Sequence, residues 1–336
     1  MNSLIILGSM EDSHVSRVVN RLSHFDIFPI CVDPFDSNAM TLDMVGGEMP
    51  YPVTLKVEGQ ADVSIDERCV VWFRNKRAFF AQPECEEEQI KYFMLSEQKS
   101  FFLSLVDLTG IRSFNSVPAA LRHQRKPQQL HLAKSIGLEI PPTIICSDYD
   151  KIISFSEQHG DSLIKPLLMQ NIPGKTEKDV FAVHSYMVTA EELRNYSRED
   201  VESAPFIMQQ YVQKAYELRI MVFDDTWHAY KIDSQDSING KIDWRLANHE
   251  DIFSSIDISP QFGRKLVKYL RESGLTYGSF DFIVTPKGEH VFLECNSDGQ
   301  WAWLEYPDKG DTPITDTIST KIRHMLEDDS SFRWAS

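Results

Sequence analysis

Gly278-Ser-Phe-Asp-Phe-Ile-Val284, then Thr285-Pro-Lys-Gly288, then Glu289-His-Val-Phe-Leu-Glu-Cys-Asn296 is the stretch that decides the fold. Two apolar runs flank a turn in which Pro286 pre-sets φ and Gly288 is free to take a positive φ, so the stretch reads as a β-hairpin. Pairing Val284 with Glu289 makes Asp281 face Phe292. Side chains alternate with period two, so Glu294 and Asn296 share that face. Asp281, Glu294 and Asn296 then present three hard oxygen donors on one rigid surface, a site suited to Mg²⁺, which takes carboxylates together with substrate phosphates. A slip of one residue would break this arrangement.

Working outward, 336 residues are enough for two or three domains, and 42% hydrophobic content is enough for a large core. The 34 Lys and Arg against 50 Asp and Glu leave a net charge of -16, which argues against a general binder of nucleic acid or of anionic membranes. Cys31, Cys69, Cys85, Cys146 and Cys295 lie far apart without CxxC spacing, so they read as reduced thiols of a cytosolic protein. The N-terminus lacks the basic region of a signal peptide, and no run reaches the ~18 apolar residues of a membrane span. The ten histidines show no HxxxH or HExxH spacing, Gly8-Ser-Met is not GxGxxG, and no GxSxG occurs. Zinc chemistry, a dinucleotide site and a serine nucleophile elbow are therefore not expected.

Leu4-Ile-Ile-Leu7, a helix over 13–24 and a strand over 27–32 open the chain as a parallel α/β unit. Cys69-Val-Val-Trp-Phe73 is a further strand, followed by Arg74, Lys76 and Arg77; residues 84–108 read as a long helix. A break near Pro118 sets a first domain of 1–117. A second, 118–205, holds a helix from Lys126 to the Gly137 cap, strands at 140–145 and 162–166, and a polar, mobile loop over 169–179. A third, 206–330, holds strands at 206–212, 216–223 and 227–232 as one antiparallel sheet, a helix over 260–273, and the hairpin.

This order of parts resembles an ATP-grasp ligase: Lys126 before a helix ending Ile-Gly-Leu-Glu-Ile-Pro, then Leu-Ile-Lys165-Pro, Gln-Gln210-Tyr-Val, Tyr-Glu217-Leu-Arg219, and last the hairpin. The resemblance covers roughly residues 115–325 and implies an α/β protein whose two lobes grip ATP, preceded by an α/β pre-grasp domain. The tail Glu294-Cys-Asn-Ser-Asp-Gly-Gln-Trp-Ala-Trp303 and the run Val71-Trp-Phe-Arg74 are similar to the microviridin-type, or graspetide, synthetases that modify ribosomal peptides. Two departures are Gln210, where an acidic hinge residue is common, and Asn75, where a second Arg is frequent.

What the resemblance implies is ATP and Mg²⁺ as cofactors, Lys126 and Lys165 over the α- and β-phosphates, and Gln210, Tyr211 and Val212 as the adenine hinge. Glu217 would meet ribose or metal, Arg219 the γ-phosphate or acyl phosphate, and Asp281, Glu294 and Asn296 two Mg²⁺. Lys231 would face the same cleft, Arg245 would hold the substrate carboxylate, and Arg74 would recognise an acidic peptide segment. The implied activity is phosphorylation of an Asp or Glu side chain of a precursor peptide, then attack by a Thr or Ser hydroxyl or a Lys amine. A cytoplasmic homodimer is the family's usual form. Two other readings stand beside this one: a glutathione-synthetase or glutamate-ligase type enzyme, and a nucleotide- or peptide-binding module without turnover.

Overall fold

The computed structural model describes residues 3–32, 40–42, 53–55, 62–65, 69–74, 87, 89–94, 96–97, 100–101, 112–167, 171–173, 180–182, 185–236, 252–305 and 311–327. The chain divides into two compact units, one of residues 1–120, 274–277 and 300–336, the other of 121–273 and 278–299. Among the described residues, no helix is long and apolar enough to cross a membrane.

In the first unit, Ile30–Val32, Ser3–Leu7, Cys69–Phe73 and Arg112–Phe114 lie side by side as a parallel sheet. A parallel strand buried on both faces needs an unbroken apolar run, which Leu4-Ile-Ile-Leu7 and Cys69-Val-Val-Trp-Phe73 supply. The helix Ser13–Ser23 buries Val15, Val18 and Leu22, and its N-cap Asp12 accepts a hydrogen bond from the His14 peptide N–H at 2.8 Å. A small antiparallel sheet of Met40–Leu42, Val53–Leu55 and Val63–Ile65 was not expected from the sequence. Of the long helix expected over 84–108, residues 89–94, 96–97 and 100–101 are helical; the remainder, apart from residue 87, lies outside the described residues.

The end of the chain corrects the expected third domain. Residues 300–336 belong to the first unit, and the helix Pro313–Glu327 packs against Ser13–Ser23. Trp301 supplies the reason. Its indole is fully buried, 6.3 Å from the ring of Trp72 and 5.8 Å from that of Tyr277. The peptide N–H groups of Trp301 and Ala302 both donate to Nε2 of His14, at 2.9 and 3.1 Å. That pair of donors fixes His14 as the neutral tautomer, with its Nδ1–H given to Asp12 Oδ1 at 2.6 Å. Burial lowers the His14 pKa further.

The second unit contains two sheets. Tyr186–Val188, Ser162–Lys165, Phe206–Gln210 and Thr143–Cys146 form one, antiparallel throughout. The helix Tyr149–His159 covers it over a core of Ile152, Val188, Leu193, Val201 and Met208. Phe206–Gln210 therefore does not join Tyr216–Phe223, as the sequence reading had it. The five residues between them, Tyr-Val-Gln-Lys-Ala, contain none of the Gly, Asn or Asp that a tight hairpin turn requires, so the segment becomes a connector instead. The polar loop expected over 169–179 holds a strand: Asn171–Pro173 pairs with Val180–Ala182, and 168–170 and 174–179 lie outside the described residues.

The other sheet runs Phe253–Ser255, Thr226–Ile232, Tyr216–Phe223, Tyr277–Val284, His290–Asn296. Its apolar face packs Phe280, Phe282 and Phe292 beneath the helix Pro260–Ser273, with the Tyr269 and Phe280 rings 5.2 Å apart. The hairpin register differs from the expected one. Val284 pairs with His290, not Glu289, because the turn holds three residues and closes with Gly288 at φ 82°. Continued unbroken, that register would set Asp281 opposite Leu293 and send Glu294 to the other face. A β-bulge between Phe282 and Asp281 admits Leu293 as an extra residue, and Asp281 pairs directly with Glu294.

Candidate active site

The bulge brings the three oxygen donors together. The Asn296 Nδ2 lies 3.2 Å from Glu294 Oε1 and 3.4 Å from Asp281 Oδ2. Arg219, on the neighbouring strand, places Nη1 2.8 Å from both carboxylate oxygens of Asp281, and both side chains are buried. A guanidinium beside a buried carboxylate favours its charged form, and it fixes the oxygens in place. Gly299 closes over this corner. A Cβ there would sit 2.1 Å from Ser279 Cβ and 3.2 Å from Arg219 Nη2, so only glycine allows the turn after Asn296 to lie against the site. Two carboxylates and a carboxamide form a donor set that fits Mg²⁺, which keeps open positions for phosphate oxygens and water. No cluster of three His, Cys, Asp or Glu exists among the described residues, so a cage of protein ligands alone is not what the residues offer.

Glu217 lies two residues before Arg219 and shares its face of the strand. Its Oε1 accepts from the Lys214 ammonium at 2.6 Å and from the Ser234 hydroxyl at 2.8 Å. Burial pushes the Glu217 pKa up, against the pull of Lys214 and of these hydrogen bonds. Lys214 and Ser234 were not singled out from the sequence; the Lys-x-x-Glu spacing across the connector was the available signal. Lys214→Met is expected to cost about 3 kcal/mol at neutral pH, since it leaves a buried carboxylate unpaired. A carboxyl whose folded pKa is raised holds its proton in the folded state, so the deficit shrinks as pH falls through that pKa and is largest above it. Urea titrations of parent and variant at pH 5 and pH 8 measure it; equal deficits at both pH values would contradict the assignment.

On the first sheet of this unit, Lys165 Nζ donates to Gln209 Oε1 at 2.8 Å, and Lys126, in the first turn of the helix Lys126–Ser135, reaches the Pro166 carbonyl at 3.3 Å. Lys126 thus reaches the backbone of the residue that follows Lys165. The connector begins with the Gln210 N–H bonded to Pro142 O at 3.0 Å and the Tyr211 N–H to Asp161 O at 2.7 Å. The Gln210 side chain turns back to the His159 carbonyl at 3.1 Å, so it contributes its backbone only. The Val212 N–H makes no hydrogen bond among the described residues.

Two expected site residues stand apart. Lys231 pairs in register with Leu218, so it projects from the face opposite Arg219, and its ammonium meets Asp233 at 2.7 Å and the Tyr216 ring at 5.0 Å. Arg74, expected to meet an acidic peptide, is only 4% exposed. Its Nε donates to Asp12 Oδ2 at 2.9 Å and its guanidinium lies 5.3 Å from the Trp301 ring, so the charge serves the core of the first unit. Burial raises the Asp12 pKa, but the His14 hydrogen bond and the Arg74 charge outweigh it and hold the carboxyl well below the usual range. Arg245, Lys76 and Arg77 lie outside the described residues.

Comparison with known proteins agrees with this architecture. The profile of the prokaryotic glutathione synthetase ATP-grasp domain matches residues 130–287, just under half of the chain. No curated protein matches it by sequence. Among solved structures, a Chryseobacterium gregarium RiPP-associated ATP-grasp ligase in complex with ADP and a leader and core peptide superposes with a TM-score of 0.84 at 22% identity, covering 98% of each chain. The macrocyclase MdnC bound with precursor peptide MdnA, from Microcystis aeruginosa MRC, gives 0.81 at 22% identity over 96% of this chain and 100% of MdnC. The ATP-grasp ligase PsnB complexed with a phosphomimetic variant of its minimal precursor, Mg and ADP gives 0.76 at 19% identity over 97% of this chain and 99% of PsnB. With two antiparallel sheets in one unit and a parallel α/β unit ahead of them, this chain has the ATP-grasp fold, matched over nearly its whole length to that of these ligases.

Proposed function

We propose that this protein is an ATP-dependent carboxylate ligase that crosslinks a ribosomally made precursor peptide. The observation that carries the reading is the wall of Asp281, Glu294 and Asn296 braced by Arg219, on a fold whose solved examples hold ADP and precursor peptides. A carboxylate is a poor electrophile, and phosphorylation supplies the leaving group. A side-chain carboxylate oxygen of the peptide attacks the γ-phosphorus of ATP and ADP departs. A hydroxyl or amine of the same peptide then attacks the acyl carbon, loses its proton, and phosphate leaves with the original carboxylate oxygen. The product is an ester or amide ring. Such transfer depends on positioning and electrostatics more than on covalent help from the protein.

In this reading Lys126 and Lys165 neutralise the α- and β-phosphates, the 210–212 backbone meets the adenine edge, and Glu217 meets the ribose. Arg219 faces the charge that develops on the transferred phosphoryl group, matching it with a planar fork. Asp281, Glu294 and Asn296 would hold Mg²⁺, which would supply positive charge against the phosphate groups of ATP. Arg245 holds the peptide carboxylate. The partner is a peptide with a leader and an acidic, hydroxyl-rich core, and the working form is a cytoplasmic homodimer. Incubation with ATP, Mg²⁺ and a short acidic precursor peptide should remove about 18 Da per crosslink, the mass of one water in ATP-driven ligation. No loss with any such peptide would refute the peptide substrate.

The glutathione synthetase profile favours one second reading, a ligase of free amino acids or small peptides. Release of ADP with a panel of free amino acids, and not with the peptide, would select it.

A further inference from the structure

We propose that Thr143 and Gln209 are positioning residues for Lys165, forming a relay with only one hydrogen-bond direction. Thr143, Gln209 and Lys165 stand on three adjacent strands, with Gln209 opposite Thr143 on one side and packed beside Lys165 on the other. The Thr143 hydroxyl donates to the Pro141 carbonyl at 2.7 Å. A hydroxyl has one proton, so toward Gln209 it can only accept, and the Gln209 Nε2 donates to it at 3.0 Å. The amide is thereby turned so that its Oε1, and not its NH₂, faces Lys165, and the Lys165 Nζ donates to it at 2.8 Å. Gln209 is 3% exposed, so water does not reorient it.

An isolated glutamine flips with little cost, and its NH₂ would repel an ammonium. Here the threonine removes that choice. The carboxamide also keeps the ammonium's full positive charge, where a carboxylate at 209 would neutralise it. One of the three ammonium protons is committed to Gln209. The relay thus fixes Lys165 before a ligand arrives, which lowers the ordering cost of binding.

This inference rests on the reading of Lys165 as a contact to nucleotide phosphate, and its test separates the two. Binding of a fluorescent ADP analogue with Mg²⁺, without peptide, is measured for the full chain and its variants. Lys165→Met is expected to bind at least tenfold more weakly; parent-like affinity there would overturn the nucleotide reading itself. Thr143→Val, which keeps the shape and removes the acceptor, is expected to weaken binding about five- to tenfold, the loss of one charge-assisted hydrogen bond. Thr143→Ser restores the acceptor and is expected to bind within twofold of the parent. A carboxylate has no wrong face, so in a Gln209→Glu background Thr143→Val is expected to add nothing. If Lys165→Met weakens binding while Thr143→Val does not, or if serine fails where valine fails, or if valine costs as much in the glutamate background, the relay is wrong. Thermal midpoints of all variants identify any that fail to fold, and the background comparison holds between two variants of equal midpoint.

Discussion

Asp281→Asn is expected to lower ATP-driven ligation about 10³-fold, the scale seen when one preorganised electrostatic group is taken from a transition state. The same change strikes stability. Arg219 is buried, and its Nη1 lies 2.8 Å from each carboxylate oxygen of Asp281. Removing the negative charge takes from this buried cation the carboxylate it meets, at a cost of about 3 kcal/mol. The two effects separate in a double variant. Arg219→Met with Asp281→Asn takes out both charges, so it should regain most of the stability and none of the activity. Urea denaturation and ADP release, measured on the parent, the two single variants and the double, give the complete cycle. Parent-like turnover by Asp281→Asn would remove Asp281 from the catalytic wall.

The second large effect is expected just after the hairpin, five residues beyond Asn296. Trp301→Ala should cost about 3–5 kcal/mol in unfolding free energy, the range for deleting a large buried aromatic side chain. Trp301 is fully buried, with the His14 ring edge-on at 4.5 Å, Trp72 stacked at 6.3 Å and the Arg74 guanidinium at 5.3 Å. The alanine variant loses the cavity-filling ring and the aromatic face beside the Arg74 guanidinium. Trp301→Phe retains part of the ring volume and should fall between. A loss under about 1 kcal/mol for alanine, the level typical of surface changes, would mean that Trp301 is a surface aromatic and not the anchor of the C-terminal segment.

Much of this was legible in the sequence because it depends on local patterns. Leu4-Ile-Ile-Leu7 and Cys69-Val-Val-Trp-Phe73 read as buried parallel strands since nothing else explains unbroken apolar runs of that length. The grouping of Asp281, Glu294 and Asn296 was also anticipated, but through a register that the structure replaces. Two departures offset each other: the three-residue turn shifts the pairing by one, and the bulge at Leu293 shifts it back. Neither is coded by alternation, since a bulge adds a residue without a distinctive side chain. Long-range placement was less legible. Arg74 follows a strand and looks like a free cation in sequence, yet its partner Asp12 lies 62 residues away. Lys231 falls on the wrong face because period two predicts which residues share a face within a strand, but not which face of the sheet a neighbouring strand presents. The Lys214–Glu217 pair and the Thr143–Gln209 contact join residues whose types are common on surfaces, and only folding reveals that they are buried or aligned.

The central claim is that the protein activates a peptide carboxylate by phosphorylating it. The direct measurement uses precursor peptide whose Asp and Glu side-chain carboxylates carry ¹⁸O, incubated with ATP and Mg²⁺, followed by mass analysis of the released phosphate. Attack of the carboxylate on ATP predicts one ¹⁸O in phosphate for each crosslink formed, because the acyl oxygen leaves with the phosphoryl group. Crosslinked peptide accompanied by phosphate without ¹⁸O would contradict the account.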